Sequence, residues 1–379
     1  MTRVAAPVNA ARSRPPTFPG TRENPGYTGR QMPTQPQDDA RPAEAGLADR
    51  QGRKIEYLRV SVTDRCNYRC TYCMPEDGIE HAQREDILSF EELEQLLTCF
   101  ARLGVAHLRI TGGEPTVRRD LVPLVERLKA IPGIETLALS TNGERLDEFA
   151  APLWNAGLRR LNVSLDSLVP ERFLRITRRG DLARVLAGLQ AARAAGFSQI
   201  KLNTVAIKGF NDDELGALCD HAFQNGYVPR FIEVMPMAAG NLFVPGQLLS
   251  AAEIRERIAQ HYGAAVVPDA DGRRATGGMG PARYFQVEVA GQPRRFGIIS
   301  PMTEHFCDDC NRVRLSSAGH LHSCLAYDDA LDLRAILRTG GPERVMEAIL
   351  RSVSEKRDGH VFQVSGIGGP KKSMIAIGG

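Results

Sequence analysis

Residues 56–73 read Glu56-Tyr-Leu-Arg-Val-Ser-Val-Thr-Asp-Arg-Cys-Asn-Tyr-Arg-Cys-Thr-Tyr-Cys73, a strand pattern running directly into a ligand pattern. From Glu56 to Thr63 the side chains alternate, with Leu58, Val60 and Val62 on one face and Arg59, Ser61 and Thr63 on the other. Cys66, Cys70 and Cys73 follow at once with the spacing C-x3-C-x2-C. Three thiols within one short loop can reach a common metal centre, and a strand leading into them sets their place in the fold.

The same alternation returns along the chain. Strand candidates lie at Ala106 to Thr111, Thr136 to Thr141, Arg160 to Asp166, Gln199 to Val205 and Arg230 to Met235. Helical stretches separate them. Ser89 to Leu103 opens with Ser89 and Glu92 at capping-box spacing, and Asp181 to Ala195 is followed by Gly196, a residue suited to a left-handed cap. Strand-then-helix repetition predicts a parallel α/β fold. Six repeats, without a seventh and eighth, predict an incomplete (β/α)6 TIM-like barrel.

Parallel strands covered by helices normally read apolar on both faces. Here Leu108 and Ile110 oppose His107, Arg109 and Thr111; Leu161, Val163 and Leu165 oppose Asn162, Ser164 and Asp166; and Leu202 is set against Lys201 and Asn203. An unpaired charge in a packed interior is costly, so the polar faces predict a ligand cavity, with its chemistry at the C-terminal ends of the strands.

Three regions are expected. Residues 1–50 hold eight of the 23 prolines and no periodicity, which predicts a disordered tail. The tail is Arg-rich and acid-poor before Glu23, as an organellar transit peptide would be, but Ser13 is its one serine. Residues 51–265 carry the partial barrel. Residues 266–379 form a smaller second domain with a Gly-rich loop from Gly277 to Gly280, strands at Arg283 to Val289 and Arg295 to Ser300, a cysteine-bearing loop, helices near Asp329 to Leu337 and Pro342 to Val353, and a tail from Gly366 to Gly379.

The net charge of +3, from 48 basic and 45 acidic side chains, argues against a dedicated nucleic-acid or membrane-surface protein. No apolar run is long enough for a membrane span, and no export signal is recognisable, so a cytoplasmic location with reduced thiols is expected. Eight cysteines then point to metal. Cys307, Cys310 and Cys324 make a second group, C-x2-C-x13-C. A structural zinc site wants four ligands; only His81 is near the first triad, whereas His305, His320 or His322 could complete the second. A 4Fe-4S cluster held by three cysteines would instead leave one iron open. Cys99 and Cys219 stand alone and read as small buried hydrophobes.

With Tyr72 inside its last spacer, the first triad resembles the radical S-adenosylmethionine (SAM) superfamily, in which the open iron is chelated by the methionine moiety of SAM. Phe306-Cys-Asp-Asp-Cys-Asn-Arg-Val-Arg-Leu315 and Gly319-His-Leu-His-Ser-Cys-Leu325 resemble the C-terminal signature of the GTP 3',8-cyclases of molybdenum cofactor biosynthesis. The resemblance runs from about Lys54 to the end and includes Ser61-Val-Thr-Asp-Arg-Cys-Asn67, Arg109-Ile-Thr-Gly-Gly-Glu-Pro115, Thr141-Asn-Gly143, Asn162-Val-Ser-Leu-Asp166 and Ile232-Glu-Val-Met235.

That resemblance implies two 4Fe-4S clusters, SAM as the radical source and GTP as the substrate, cyclised between C3' of the ribose and C8 of the base. Cys66, Cys70 and Cys73 would hold the catalytic cluster, and Cys307, Cys310 and Cys324 an auxiliary one whose open iron contacts guanine. Tyr72, Gly113, Ser164 and Met235 would line the SAM site. Gly112 and Gly113 let backbone approach the methionine moiety closely, and Glu114 would accept its ammonium hydrogens. Arg59, Arg109, Lys201, Arg312 and Arg314 would clamp the triphosphate, with one or two of them paired to Asp166 or Glu233. Ser140, usually threonine in the family, would be a further nucleotide contact, with Asn142 nearby. His107 stands where the family generally has lysine, so a phosphate contact there would depend on protonation. The Gly378-Gly379 end would thread into the active site. An external electron donor is implied, and a homodimer is compatible with the resemblance. Competing readings are another radical SAM enzyme with an auxiliary cluster and a non-enzymatic zinc protein.

Overall fold

A computed structural model describes residues 46–237, 246–272 and 280–378. Six strands follow in chain order: β1 (Tyr57–Ser61), β2 (His107–Thr111), β3 (Thr136–Thr141), β4 (Arg160–Ser164), β5 (Gln199–Ala206) and β6 (Val228–Glu233). Each pairs in parallel with the next. The helices between them are α1 (Phe90–Arg102), α2 (Leu121–Lys129), α3 (Leu146–Asn155), the pair α4 (Pro170–Thr177) and α5 (Leu182–Ala194), and α6 (Leu215–Gln224), with α7 (Ala251–Tyr262) after β6.

Alternation in the sequence sorts the two faces of the sheet. Leu58, Val60, Leu108, Ile110, Leu161 and Val163 are all fully buried under the helices. The expected capping box forms at Ser89 and Glu92, and from it α1 buries Leu93, Leu96, Leu97, Cys99 and Phe100. Each such Leu or Phe contributes about 2–3 kcal/mol over an exposed one. Cys219 is buried likewise on α6, so both solitary cysteines are packing residues. Asp181 caps α5, and Gly196 beyond it takes φ +109°, open only to glycine at low cost. The expected fourth strand stops at Ser164 instead of Asp166, because the Asp166 carboxylate turns to accept Val205 N–H at 2.8 Å and the Tyr72 hydroxyl at 2.7 Å.

The C-terminal segment is continuous with this sheet. It contributes β7 (Val267–Pro268), β8 (Arg283–Val289), β9 (Gln292–Ile299), β10 (Arg312–Leu315), β11 (His320–His322) and β12 (Leu331–Asp332), in the overall order β12-β11-β10-β1-β2-β3-β4-β5-β6-β9-β8-β7. Thus β10 runs parallel beside β1 and β9 parallel beside β6. Six βα units are present, and among the described residues no pairing joins the edges β12 and β7. The two helices expected near the end are one element, α8 (Leu333–Ser354), broken at Gly341 (φ +75°, ψ −176°) just before Pro342.

Most of the expected N-terminal tail and most of the Gly277–Gly280 loop lie outside the described residues. Residues 46–50, counted with that tail, are packed: Leu47 N–H bonds to Leu103 at 2.8 Å, and Asp49 pairs with Arg53 at 2.6 Å, both carboxylate and guanidinium buried. Among the described residues no helix is long and apolar enough to cross a membrane.

Candidate functional site

The polar faces of the strands and both cysteine loops line one cavity of about 340 Å³. Arg59 comes from β1, Arg109 and Thr111 from β2, Ser140 from β3, Asn162 and Ser164 from β4, Asn203 from β5 and Arg230 from β6. Cys66, Cys70 and Cys73 line it, and so do Cys307, Cys310 and Cys324.

Gly112 and Gly113 seat the first cysteine loop. A Cβ on Gly113 would lie 2.1 Å from the carbonyl oxygen of Arg65, and one on Gly112 would lie 2.9 Å from that of Thr63. Gly113 N–H donates to Thr63 O at 2.7 Å and Glu114 N–H to Arg65 O at 2.8 Å. The glycines are thus required by backbone-to-backbone packing within the protein. Glu114, expected to receive a ligand ammonium, already accepts four hydrogen bonds. Its Oε1 takes Thr116 N–H, Thr116 Oγ1 and Thr141 Oγ1, and its Oε2 takes Asn142 N–H, all at 2.7–3.1 Å. Burial raises its carboxyl above the ordinary value. Glu114 therefore ties the loop after β3 to the loop after β2. Asn142 is occupied in the same network, donating to Asn67 at 2.8 Å.

Thiols of the first triad are held protonated in the absence of a cation. Burial, aided by the Glu114 carboxylate, pushes Cys66 up to about 12; burial and Cys66 push Cys73 up to about 12; Cys70 is well above its ordinary value, chiefly from burial. In the second triad Cys310 differs. Burial raises it, but Arg312 and Lys356 outweigh burial and bring it to about 7. Among the described residues no three His, Cys, Asp or Glu side chains converge as a single metal ion requires. Of the histidines offered for zinc, His81 faces Asp64 at 3.6 Å, His305 contacts Pro301 O and His360, His320 faces Asp332 and His322 is buried, and none of the four lines the cavity with the cysteines. Each set supplies three thiols, which suits a cluster held by three cysteines better than a zinc ion that wants four ligands.

The cations form the most distinctive feature. In register across neighbouring strands stand Arg314 on β10, Arg59 on β1 and Arg109 on β2. Like charges directly opposite one another are destabilising. Burial, then Arg314, holds Arg59 well below its ordinary value, and burial with Arg312 brings Arg314 down to about 10. Nε of Arg59 and Nη1 of Arg314 have no hydrogen-bond partner. Arg109 donates to the Tyr57 hydroxyl and, at 3.4 Å, to Ser140. Arg312 lies over the Phe306 ring at 5.2 Å. The expected carboxylate partners border the same cavity but are engaged by other donors: Asp166 is occupied as above, and Glu233 accepts Ala251, Met302 and Thr303 N–H at 2.7–3.0 Å.

Two expected cations sit apart from this cavity. Lys201 and His107 are not among its lining residues. Burial and the neighbouring Arg230 and Arg109 bring Lys201 down to about 6. His107, lowered by burial, faces Thr136 Oγ1 at 3.0 Å. Arg230, which the sequence reading passed over, occupies the fifth place, buried and donating to Asn203 at 3.0 Å. Its signal was present: an arginine sharing a strand face with Ile232.

The C-terminal tail enters the same space. Met374 and Ile375 line the cavity, Ile377 is fully buried, and Thr111 donates to Gly378 O at 3.0 Å. Gly379 lies outside the described residues.

Residues 60–222 match the Radical SAM superfamily and residues 228–362 match Molybdenum Cofactor Synthesis C. A GTP 3',8-cyclase of Hydrogenovibrio crunogenus is 42% identical over 337 residues, spanning 88% of this chain and 99% of that one. Another, of Ectopseudomonas mendocina, is 48% identical over 319 residues, spanning 83% and 93%. The chain belongs to the GTP 3',8-cyclase family. Among solved structures, Streptococcus suis SuiB bound to S-adenosylmethionine aligns with TM-score 0.51 and 15% identity over 80% of this chain and 68% of that one, a likeness of fold. Within this cyclase family chain, the first matched region ends within α6 and the second begins at the start of β6, so β6 and its Arg230 go with the C-terminal match.

Proposed function

We propose that this chain is a radical SAM cyclase that converts GTP to (8S)-3',8-cyclo-7,8-dihydroguanosine 5'-triphosphate in molybdenum cofactor biosynthesis, with the residues of the cavity in the following roles. The observation that carries the assignment is the convergence of two cysteine triads on one cavity that also holds in-register arginines without a carboxylate partner among the described residues.

Cys66, Cys70 and Cys73 hold one 4Fe-4S cluster in the partial barrel, 51–265, and Cys307, Cys310 and Cys324 hold the other in the segment 266–379. A cluster and SAM held there would supply the one-electron cleavage chemistry that takes hydrogen from C3' of the ribose, after which C3' would bond to C8 of the base. Tyr72, Gly113, Ser164 and Met235 border the SAM position, with Glu114 bracing the loops that shape it. Tyr72 is oriented by its bond to Asp166.

Arg59, Arg109, Arg312 and Arg314, joined by Arg230, neutralise the triphosphate. Guanidinium forks suit phosphate because two donors act at once, and the anion offsets the repulsion among the arginines. Ser140 orients Arg109, and Lys201, outside the lining but lowered by burial and by Arg230 and Arg109, gains a proton when phosphate offsets the charge of those two arginines. Holding the triphosphate at one end and the base near the second cysteine triad fixes the ribose between the two centres, the orientation that a single hydrogen abstraction requires. Gly378, held by Thr111, closes the cavity from the tail. An external one-electron donor serves the first cluster.

Anaerobically prepared protein is expected to be brown with about eight irons per chain. With SAM, a reductant and GTP it should release 5'-deoxyadenosine only when GTP is present. GTP-independent release, or a colourless zinc protein, would overturn the assignment. Replacing Arg312 and Arg314 together by Ala should weaken GTP binding with both clusters retained.

A further inference from the structure

Segment 356–360 wraps the second cysteine triad, and Lys356 has no part in the roles above. Lys356 is 4% exposed yet lines the cavity. Its Nζ donates to the carbonyl of Ser323, the residue before Cys324. An ammonium has three donors, and among the described residues no carboxylate stands at ion-pair distance from this one.

The ammonium cannot swing out to water, because its turn is fixed from several sides. Arg53 Nη1 donates to Cys307 O at 2.8 Å and Asp358 O at 2.9 Å, and its Nη2 to Arg357 O at 2.8 Å. Tyr327 donates to Gly359 O at 3.0 Å, and a Cβ on Gly359 would lie 3.9 Å from Cys307 Sγ. A buried cation left unpaired is costly, so a site that encloses one provides a counter-charge. The groups at hand that become anionic when they hold iron are the three cysteines of this triad, which line the same cavity. Arg312, stacked on Phe306, is the other cation beside them and is assigned to the substrate.

We propose that Lys356 is the counter-ion of the second iron-sulfur cluster, a positioning residue whose buried charge raises that cluster's reduction potential. A fixed positive charge favours the more negative, reduced form. The inference rests on the two-cluster reading above.

The test uses the full-length chain with Cys66, Cys70 and Cys73 replaced by Ser, so that only the second triad binds iron, with iron analysis and a potentiometric titration followed by electron paramagnetic resonance. Lys356→Gln keeps a donor for the Ser323 carbonyl and removes the charge. It should retain about four irons and leave about tenfold fewer clusters reduced at a fixed potential, about 59 mV for one electron, whereas Lys356→Arg should stay near the parent. Iron kept by Lys356→Arg but lost from Lys356→Gln also supports the proposal, since charge then holds the cluster. An unshifted midpoint with iron retained in Lys356→Gln overturns it, as does iron loss from both variants, which would mark a packing role. A parent chain that binds no iron contradicts the two-cluster reading itself and the proposal with it.

Discussion

Arg59 stands between two other arginines, and replacing it should strengthen the empty protein while disabling the site. Strands lie about 4.8 Å apart, and guanidiniums that splay from them are separated by roughly 7 Å. With an effective dielectric constant of about 40, each like-charge pair at that distance costs about 1.2 kcal/mol. Arg59 faces Arg314 on one side and Arg109 on the other, so Arg59→Met should relieve about 2 kcal/mol. At about 2.1 cal/mol/K of unfolding entropy per residue, that raises the melting temperature of the ligand-free chain by about 3 °C. Loss of charge-assisted hydrogen bonds worth about 1.5–3 kcal/mol should weaken GTP by about 10- to 150-fold. Scanning calorimetry without ligand and titration calorimetry with GTP measure the two effects. A lowered melting temperature together with GTP affinity within twofold of the parent would refute the claim that the arginine row is a substrate clamp under strain.

Titration calorimetry in buffers of different ionisation enthalpy should detect uptake of up to about one proton on GTP binding near pH 7–8, because Lys201 is brought to about 6 in the empty site. The folded state then binds fewer protons than the unfolded chain, so Lys201 makes the ligand-free protein more stable as pH rises from about 6 to 10, with no such slope below 6. Gly113→Ala, which places a Cβ against Arg65 O, should displace the first cysteine loop and lower iron from about eight towards about four per chain. Arg53→Met removes three carbonyl anchors and strands the buried Asp49 carboxylate; denaturant unfolding should show a loss of about 3–5 kcal/mol. Thr111→Val removes the bond to Gly378 O at a cost of about 1 kcal/mol, and faster hydrogen exchange at residues 374–378 would report the loosened tail.

Period-two alternation in β1, β2 and β4 was enough to read both the sheet and the polar lining, because side-chain direction along a strand is a local property. The capping signals of α1 and α5 were legible for the same reason. Non-local facts were not. Arg312 and Arg314 sit two apart as on an extended segment, but nothing near residue 312 tells that this segment joins the edge of β1. Lys201 alternates as the cavity residues do but does not reach the cavity, since alternation gives a face and not a depth. The Gly112-Gly113 pair suggested contact with a ligand, whereas the nearest atoms belong to the cysteine loop. Glu114 was taken as free for a ligand because its four donors come from residues up to 28 positions away.

The addition of β9 beside β6 and β10 beside β1 bears on how the chain comes to be folded. During synthesis the six-stranded array is complete long before these two strands emerge, so for that interval both of its outer strands present unpaired backbone, the condition under which sheets associate with one another. The arginines of β1 and β2 face one another through the same interval without the second cysteine loop opposite them. Completion of the site and protection of both edges are therefore a single late event. A chain cut short after α7 would lose not just an auxiliary cluster but the two strands that keep its sheet from pairing with another.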